Sequence, residues 1–145
     1  MADYKVYIGN NGGVLMTGLR WALALMLAAF FVFMGAQKFG ATNFIFETIA
    51  AKSGISLFEP YIRMATGAAE IVAALLLILP RTRIKGALLA MMILIGAIGF
   101  HFSPWLGVDV GGDMGKSVFM MAMGAFVLTA AVLGLERASR ISFGS

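Results

Sequence analysis

The sequence predicts an all-α integral membrane protein, a four-helix bundle with both termini in the cytoplasm. Three observations lead there. Of the 145 residues, 61% are hydrophobic and only 12% are charged, against about 45–50% and about 25% in soluble domains. Four continuous apolar runs of bilayer-crossing length follow one another along the chain. The basic residues, finally, are distributed unevenly among the segments between those runs. A chain this small cannot bury so much apolar surface and still face water with polar groups. A soluble enzyme domain, a disordered tail and a disulfide scaffold are therefore excluded. With no cysteine, disulfide exchange, thiolate catalysis and thiolate metal ligation are excluded as well. Residues 1–145 read as a single transmembrane domain. The formal charge of +4 suits anionic headgroups and not nucleic acid.

The first run spans about residues 17–36. Arg20 and Trp21 open it as snorkelling and interfacial anchors. It is not a signal peptide: mostly polar residues precede it, no small-x-small cleavage site closes it, and Gln37 and Lys38 follow. The segment 37–60 forms an outer loop, in which Phe44, Ile45, Phe46, Ile49 and Ala50 fit either a short helix lying in the interface or an ordinary structured loop. The second run covers about 61–79, bounded by Pro60 and Pro80 at positions where proline is tolerated or stops a helix. The third, about 84–102, follows after only a few residues, so the pair must form a tight antiparallel hairpin. Ser103-Pro104-Trp105 then reads as a turn with an aromatic anchor. The fourth run covers about 117–135.

Loop charge sets the orientation. Arg81, Arg83 and Lys85 crowd one link, Arg137 and Arg140 follow the fourth run, and Lys5 and Arg20 lie at or before the first. The opposite end carries Lys38, Lys52, Arg63 and Lys116 interspersed with Glu47, Glu59, Asp109 and Asp113. The excess of Lys and Arg places both termini in the cytoplasm. Among the eighteen glycines, Gly67, Gly86, Gly96 and Gly99 supply small faces for close helix contact. The methionines are gap-fillers and not a soft-metal box. No metal site is expected: there is one histidine, and Asp109-Val-Gly-Gly-Asp113 lacks most of a calcium loop and reads as a turn.

The informative residues are polar ones within hydrocarbon. Glu70 sits at the middle of the second run, where a carboxylate costs on the order of 2.5–3.5 kcal/mol. It should face the bundle interior and find a partner. Arg63, Thr66, Gly67, Glu70, Ala73 and Ala74 share one helical face. Lys38 ends the first run and His101 the third, both at the outer end. Lys38, Arg63, Glu70 and His101 are thus brought to the outer half of one bundle, as ligand-binding or proton-handling candidates. A cationic rim over a buried acid suits an anionic or quinone-like headgroup, or a proton step. Each residue also has a purely structural reading. Lys38 can snorkel, Arg63 can anchor headgroups, His101 can bond a loop carbonyl, and Glu70 can fix helix register through an ion pair. A haem on His101 alone would lack the paired histidines of four-helix cytochromes.

Four stretches resemble the DoxX family of small membrane proteins. Gly35-Ala36-Gln37-Lys38-Phe39 resembles the small-residue-then-lysine end of its first helix. Gly67-Ala-Ala-Glu70-Ile-Val-Ala-Ala-Leu-Leu-Leu resembles its second helix, and Pro80-Arg81-Thr82-Arg83 before Gly86-Ala-Leu-Leu-Ala its basic turn into the third. His101 matches a histidine near that helix's end. The resemblance covers about residues 17–135. It implies a compact four-helix bundle of the bacterial-type inner membrane. It also implies a functional range from subunits of quinone-linked oxidoreductases, such as thiosulfate:quinone oxidoreductase, to assembly chaperones. It extends to Lys38, Glu70 and His101; Arg63 rests on the helix-face argument alone. The expectation is a small subunit of a quinone-linked redox complex without independent activity, with quinone as its possible ligand. The alternative is a non-catalytic subunit or chaperone that binds partner transmembrane helices. Its partners would be the lipid bilayer and other membrane subunits or further copies of itself. A reporter fused after Ser145 should lie in the cytoplasm; reporter activity confined to the periplasm would contradict the charge argument.

Overall fold

The computed structural model describes the backbone of residues 2–142 and the side chains of residues 12–141. Five helices and one 3₁₀ turn follow in order: α1 (Ala2–Gln37), α2 (Phe44–Ser53), the turn Ser56–Phe58, α3 (Tyr61–Ile78), α4 (Arg83–His101) and α5 (Ser117–Ser142). No strand occurs among the described residues. Helices α1, α3, α4 and α5 correspond to the four apolar runs, and each is long and apolar enough to cross a bilayer. The chain is an all-helical, multi-pass membrane protein. Between 22% and 33% of each span is buried against the others, so most of the apolar surface is left for lipid.

The boundaries of α3 and α4 fall within one residue of those the sequence predicts. Helices α1 and α5 run further. No proline interrupts residues 2–16, and α1 begins at Ala2 instead of near Thr17. Helix α5 passes Leu135 because its inward face continues: Ala122, Ala125, Thr129, Val132 and Glu136 are all buried, at alternating steps of three and four. The outer-loop alternative resolves in favour of a helix. The Asn43 side chain caps α2 by accepting from the Ile45 N–H at 3.2 Å. Gly54, at φ 73°, ends it in the left-handed conformation that glycine adopts without penalty.

Helix α1 packs chiefly on α3, α3 on α4 and α4 on α5, and α5 closes more sparingly on α1. Alanines dominate the contact surfaces: Ala73, Ala74, Ala87 and Ala90 are fully buried beside Leu27, Phe31 and Leu77. Lipid tails are as apolar as leucine, so helices gain most from close backbone approach at such small residues. Gly67 is the tightest point of the α1–α3 crossing; a Cβ there would meet Lys38 Cβ at 2.9 Å and the Gly35 carbonyl at 3.0 Å. Gly86 packs as closely on the end of α3; a Cβ there would meet Leu77 N at 2.7 Å. Gly96 and Gly99 differ from that expectation, with nothing within 4 Å of their Cβ positions. At the hairpin between α3 and α4, the Thr82 hydroxyl donates to the Leu76 carbonyl at 3.0 Å. A second cluster, Ile49, Phe58, Leu106 and Val110, draws α2 and the loop 103–116 together over the end opposite the termini.

Gly67→Leu should lower stability by about 1–3 kcal/mol or more through overpacking against backbone. Gly124→Ala, which meets open space, should leave it unchanged. Thermal unfolding in detergent micelles, followed by circular dichroism, measures both.

Candidate functional site

Glu70 lies near the middle of α3 and is 5% exposed; Lys38, just past the end of α1, is 7% exposed. The Lys38 ammonium donates to Glu70 Oε1 at 3.0 Å and lies 2.8 Å from Oε2. It also donates to the Met34 carbonyl at 3.1 Å, an unfilled acceptor in the last turn of α1. The pair crosses the α1–α3 contact beside Gly67, where the missing side chain admits the lysine stem. Both oxygens of the buried carboxylate thus lie within 3.0 Å of the ammonium.

His101 is buried at the end of α4. Its Nδ1 lies 2.7 Å from the Gly107 carbonyl. A carbonyl only accepts, so Nδ1 carries a proton and donates it to Gly107. Gly107, at φ 84°, supplies the left-handed turn that precedes the loop's return toward α5. Phe119 packs edge-on against the imidazole, with centroids 5.4 Å apart.

Arg63 takes a different course. Its side chain points toward the α1–α2 connection and not toward Glu70. It pairs with Glu59 at 2.6 Å and donates to the carbonyls of Lys38 and Gly40, the latter at 2.9 Å. This buried guanidinium satisfies backbone acceptors where α1 ends, as cations do at helix C-termini. It thereby holds the segment that carries Lys38.

Lys38, Glu70 and His101 line one cavity of about 770 Å³ at the loop end of the bundle, within the range of small-molecule sites. Its walls are mainly apolar and come from all four spans, with Phe44, Ile45 and Ile49 of α2 above. Thr66, one turn from Glu70, adds a hydroxyl; Arg63 is not in the lining. Met92, Gly96 and Met121 border the cavity and are exposed on the perimeter of their spans, Met92 by 63%. The space therefore communicates with the lipid-facing surface. Among the described residues, no three His, Asp or Glu side chains gather as a metal site would require.

A second charged centre occupies the end that bears the termini. Glu136 is 2% exposed and Arg83 1%. Arg83 Nη1 donates to Glu136 Oε1 at 2.9 Å and its Nε to the Leu77 carbonyl at 2.9 Å. Arg20 binds the same carboxylate in a two-pronged contact, at 3.1 and 2.7 Å. The Trp21 ring lies 4.2 Å from the Arg83 guanidinium carbon, a cation–π contact. Arg20 thus binds a buried acid instead of snorkelling to headgroups, and Arg83 is a core residue and not a loop charge; Glu136, which joins them, lies beyond the sequence-predicted end of the fourth run. The readable signal was the three- and four-residue spacing of α5's inward face, which continues to Glu136.

Four packed, apolar spans with ion pairs buried between them define a multi-pass membrane bundle. The chain belongs to the DoxX-like family, whose model matches residues 22–133. No curated protein and no solved structure shows significant similarity to it.

Glu136→Ala should cost about 3–5 kcal/mol, because it leaves two guanidinium groups unpaired, one of them deeply buried. Arg20→Ala should cost about 1 kcal/mol, since Arg83 still satisfies the carboxylate. Comparing their thermal unfolding in one detergent tests that ranking, and equal costs would show that Arg83 does not hold the centre.

Proposed function

We propose that this protein is a small subunit of a quinone-linked redox complex in a bacterial-type inner membrane. It would hold the headgroup of a quinone or a similar lipid in its outer cavity. The observation that carries this reading is the cavity itself: apolar walls, a few polar groups at named positions, and a border on the lipid-facing perimeter. A ligand dissolved in the bilayer can reach such a space sideways without crossing water. Quinones combine an apolar tail with a polar ring, which suits walls of Phe, Ile and Met beside Glu70, Thr66 and His101. Glu70 and His101 are the polar or proton-handling contacts. Lys38 acts electrostatically, as the cation paired with Glu70. Arg63 contributes at one remove, by fixing the α1 end from which Lys38 projects. Redox partners would be separate subunits.

The proposed orientation keeps both termini in the cytoplasm. Arg20 and Arg83 are occupied by Glu136, yet Arg81, Lys85, Arg137 and Arg140 remain exposed at the terminal end. Lys5 lies outside the described side chains. The loop end exposes Lys52 and Lys116 among Glu47, Asp109 and Asp113. The basic excess thus persists when paired charges are set aside.

The alternative, a non-catalytic subunit that gathers partner helices, draws on the open Gly96 and Gly99. The two readings separate by mutation. Glu70→Gln keeps an acceptor for Lys38, so the bundle should still assemble. Gly96→Leu puts bulk where nothing stands in its way and narrows the cavity border. Under the quinone reading, either change should reduce quinone binding or quinone-linked turnover at least tenfold, with partner copurification retained. If Glu70→Gln leaves binding and turnover unaltered while Gly99→Leu releases a partner, the alternative holds instead.

A further inference from the structure

The end of the bundle that bears the termini holds more positive charge than its own acids balance. Among the described residues it carries Arg20, Arg81, Arg83, Lys85, Arg137 and Arg140 against one carboxylate, Glu136. That carboxylate is buried, and both its oxygens are taken by Arg20 and Arg83. The other four cations are exposed. Three of them meet at one junction. Arg137 and Arg140 stand three residues apart on α5, neighbours on one helix face with about 5–6 Å between Cβ atoms. Arg140 is also one turn past Glu136, at the spacing of an ion pair, yet its guanidinium donates to the Arg81 carbonyl at 3.3 Å. The end of α5 is thereby joined to the turn between α3 and α4. Neither Arg81, Arg137 nor Arg140 has an ion-pair partner among the described residues. Like charges at this spacing repel, and an anion seated among them relieves the repulsion.

The surroundings decide what kind of anion. Trp21, which packs on Arg83 two residues from Arg81, is partly exposed, as an aromatic ring at headgroup level is. One turn before Arg137, on the bilayer side, Leu133 is half-buried and Gly134 has open space at its Cβ position. Leu79, just before the turn, is exposed. The junction thus sets guanidinium groups above apolar surface that acyl chains cover, an arrangement that fits a phospholipid and gives a free anion nothing for its apolar half. The guanidinium fork matches two phosphate oxygens, and basic clusters at the end of a span bind acidic headgroups. We propose that the junction of α5 with the α3–α4 turn is a binding site for an anionic phospholipid. Arg81, Arg137 and Arg140 hold its phosphate, and its chains lie over Leu79, Leu133 and Gly134. Phosphatidylcholine has the same phosphate, but its quaternary ammonium meets the arginines' charge unfavourably, so the site selects by net charge. The site lies at the opposite end from the cavity and does not depend on what the cavity holds.

The full-length protein in nanodiscs of equal parts phosphatidylglycerol and phosphatidylcholine is examined by native mass spectrometry, which counts the lipids it retains. The native protein should retain phosphatidylglycerol over phosphatidylcholine by about tenfold. Arg137→Gln combined with Arg140→Gln should bring that ratio to within about twofold of one, with thermal unfolding in lipid-free detergent unchanged. Arg81→Lys keeps the charge but loses the fork, and should lower the ratio severalfold; it carries the test if the double variant unfolds. Lys52→Gln, which removes an exposed cation at the loop end, should leave the ratio as it is. Equal retention of the two lipids by the native protein overturns the proposal, as does a ratio indifferent to the arginine substitutions. A ratio that falls as far with Lys52→Gln shows diffuse attraction and no site. Displacement of the lipid by millimolar inorganic phosphate, or by a short oligonucleotide, shows a seat for a soluble anion or a nucleic acid and overturns the lipid assignment.

Discussion

A charge within hydrocarbon needs a partner, and in this bundle the partner comes from another helix. Glu70 on α3 is met by Lys38 at the end of α1. Glu136 on α5 is met by Arg83 on α4 and Arg20 on α1. Removing either acid would leave buried cations without compensation, which costs far more than an exposed pair does. The two centres lie at opposite ends of the bundle, and α1 contributes to both. Between them most of the buried contact residues are alanines, which allow close approach but specify little by shape. The ion pairs therefore supply the register that small residues cannot, a use of buried charge that is well attested in helical assemblies.

Much of this architecture was legible in the sequence, for reasons that particular residues make plain. Four spans follow from hydropathy because every backbone polar group in lipid must be satisfied within a helix. Glu70 and Lys38 could be placed together because depth along a helix is countable and alternate spans run in opposite directions. Arg63 shares the face of Glu70, yet its guanidinium turns the other way. The carbonyls it serves, at Lys38 and Gly40, exist only because α1 ends where it does and the chain turns back over α3. That is a tertiary fact, and helix-face counting does not contain it. Glu136 was obscured differently. It stands just past the apolar window, next to Arg137, where a charge reads as loop, although the face it shares with Val132 and Thr129 runs straight through it.

The same placement explains why the loop end is hollow and the terminal end is not. At the terminal end a three-membered charge cluster joins α1, α4 and α5, and a tight hairpin joins α3 to α4. At the loop end, among the described residues, only α1 and α3 are joined by a charged contact between spans, while α4 and α5 are connected by a loop of some fifteen residues, 102–116. Helix α2, held by the Ile49–Phe58–Leu106–Val110 cluster, covers the resulting space instead of filling it.

The polarity of that space follows from the way its charges are balanced. A carboxylate in lipid requires a cation, and the ammonium that answers it also donates to the end of α1. The threonine and histidine of the lining are likewise committed through their hydrogens to local carbonyls, as buried hydroxyl and N–H groups must be. A cavity formed among such residues therefore has its few polar groups fixed in position before any ligand arrives. The stability of the bundle and the placement of its polar groups thus have one origin, the need to satisfy each of those groups within a membrane-spanning core.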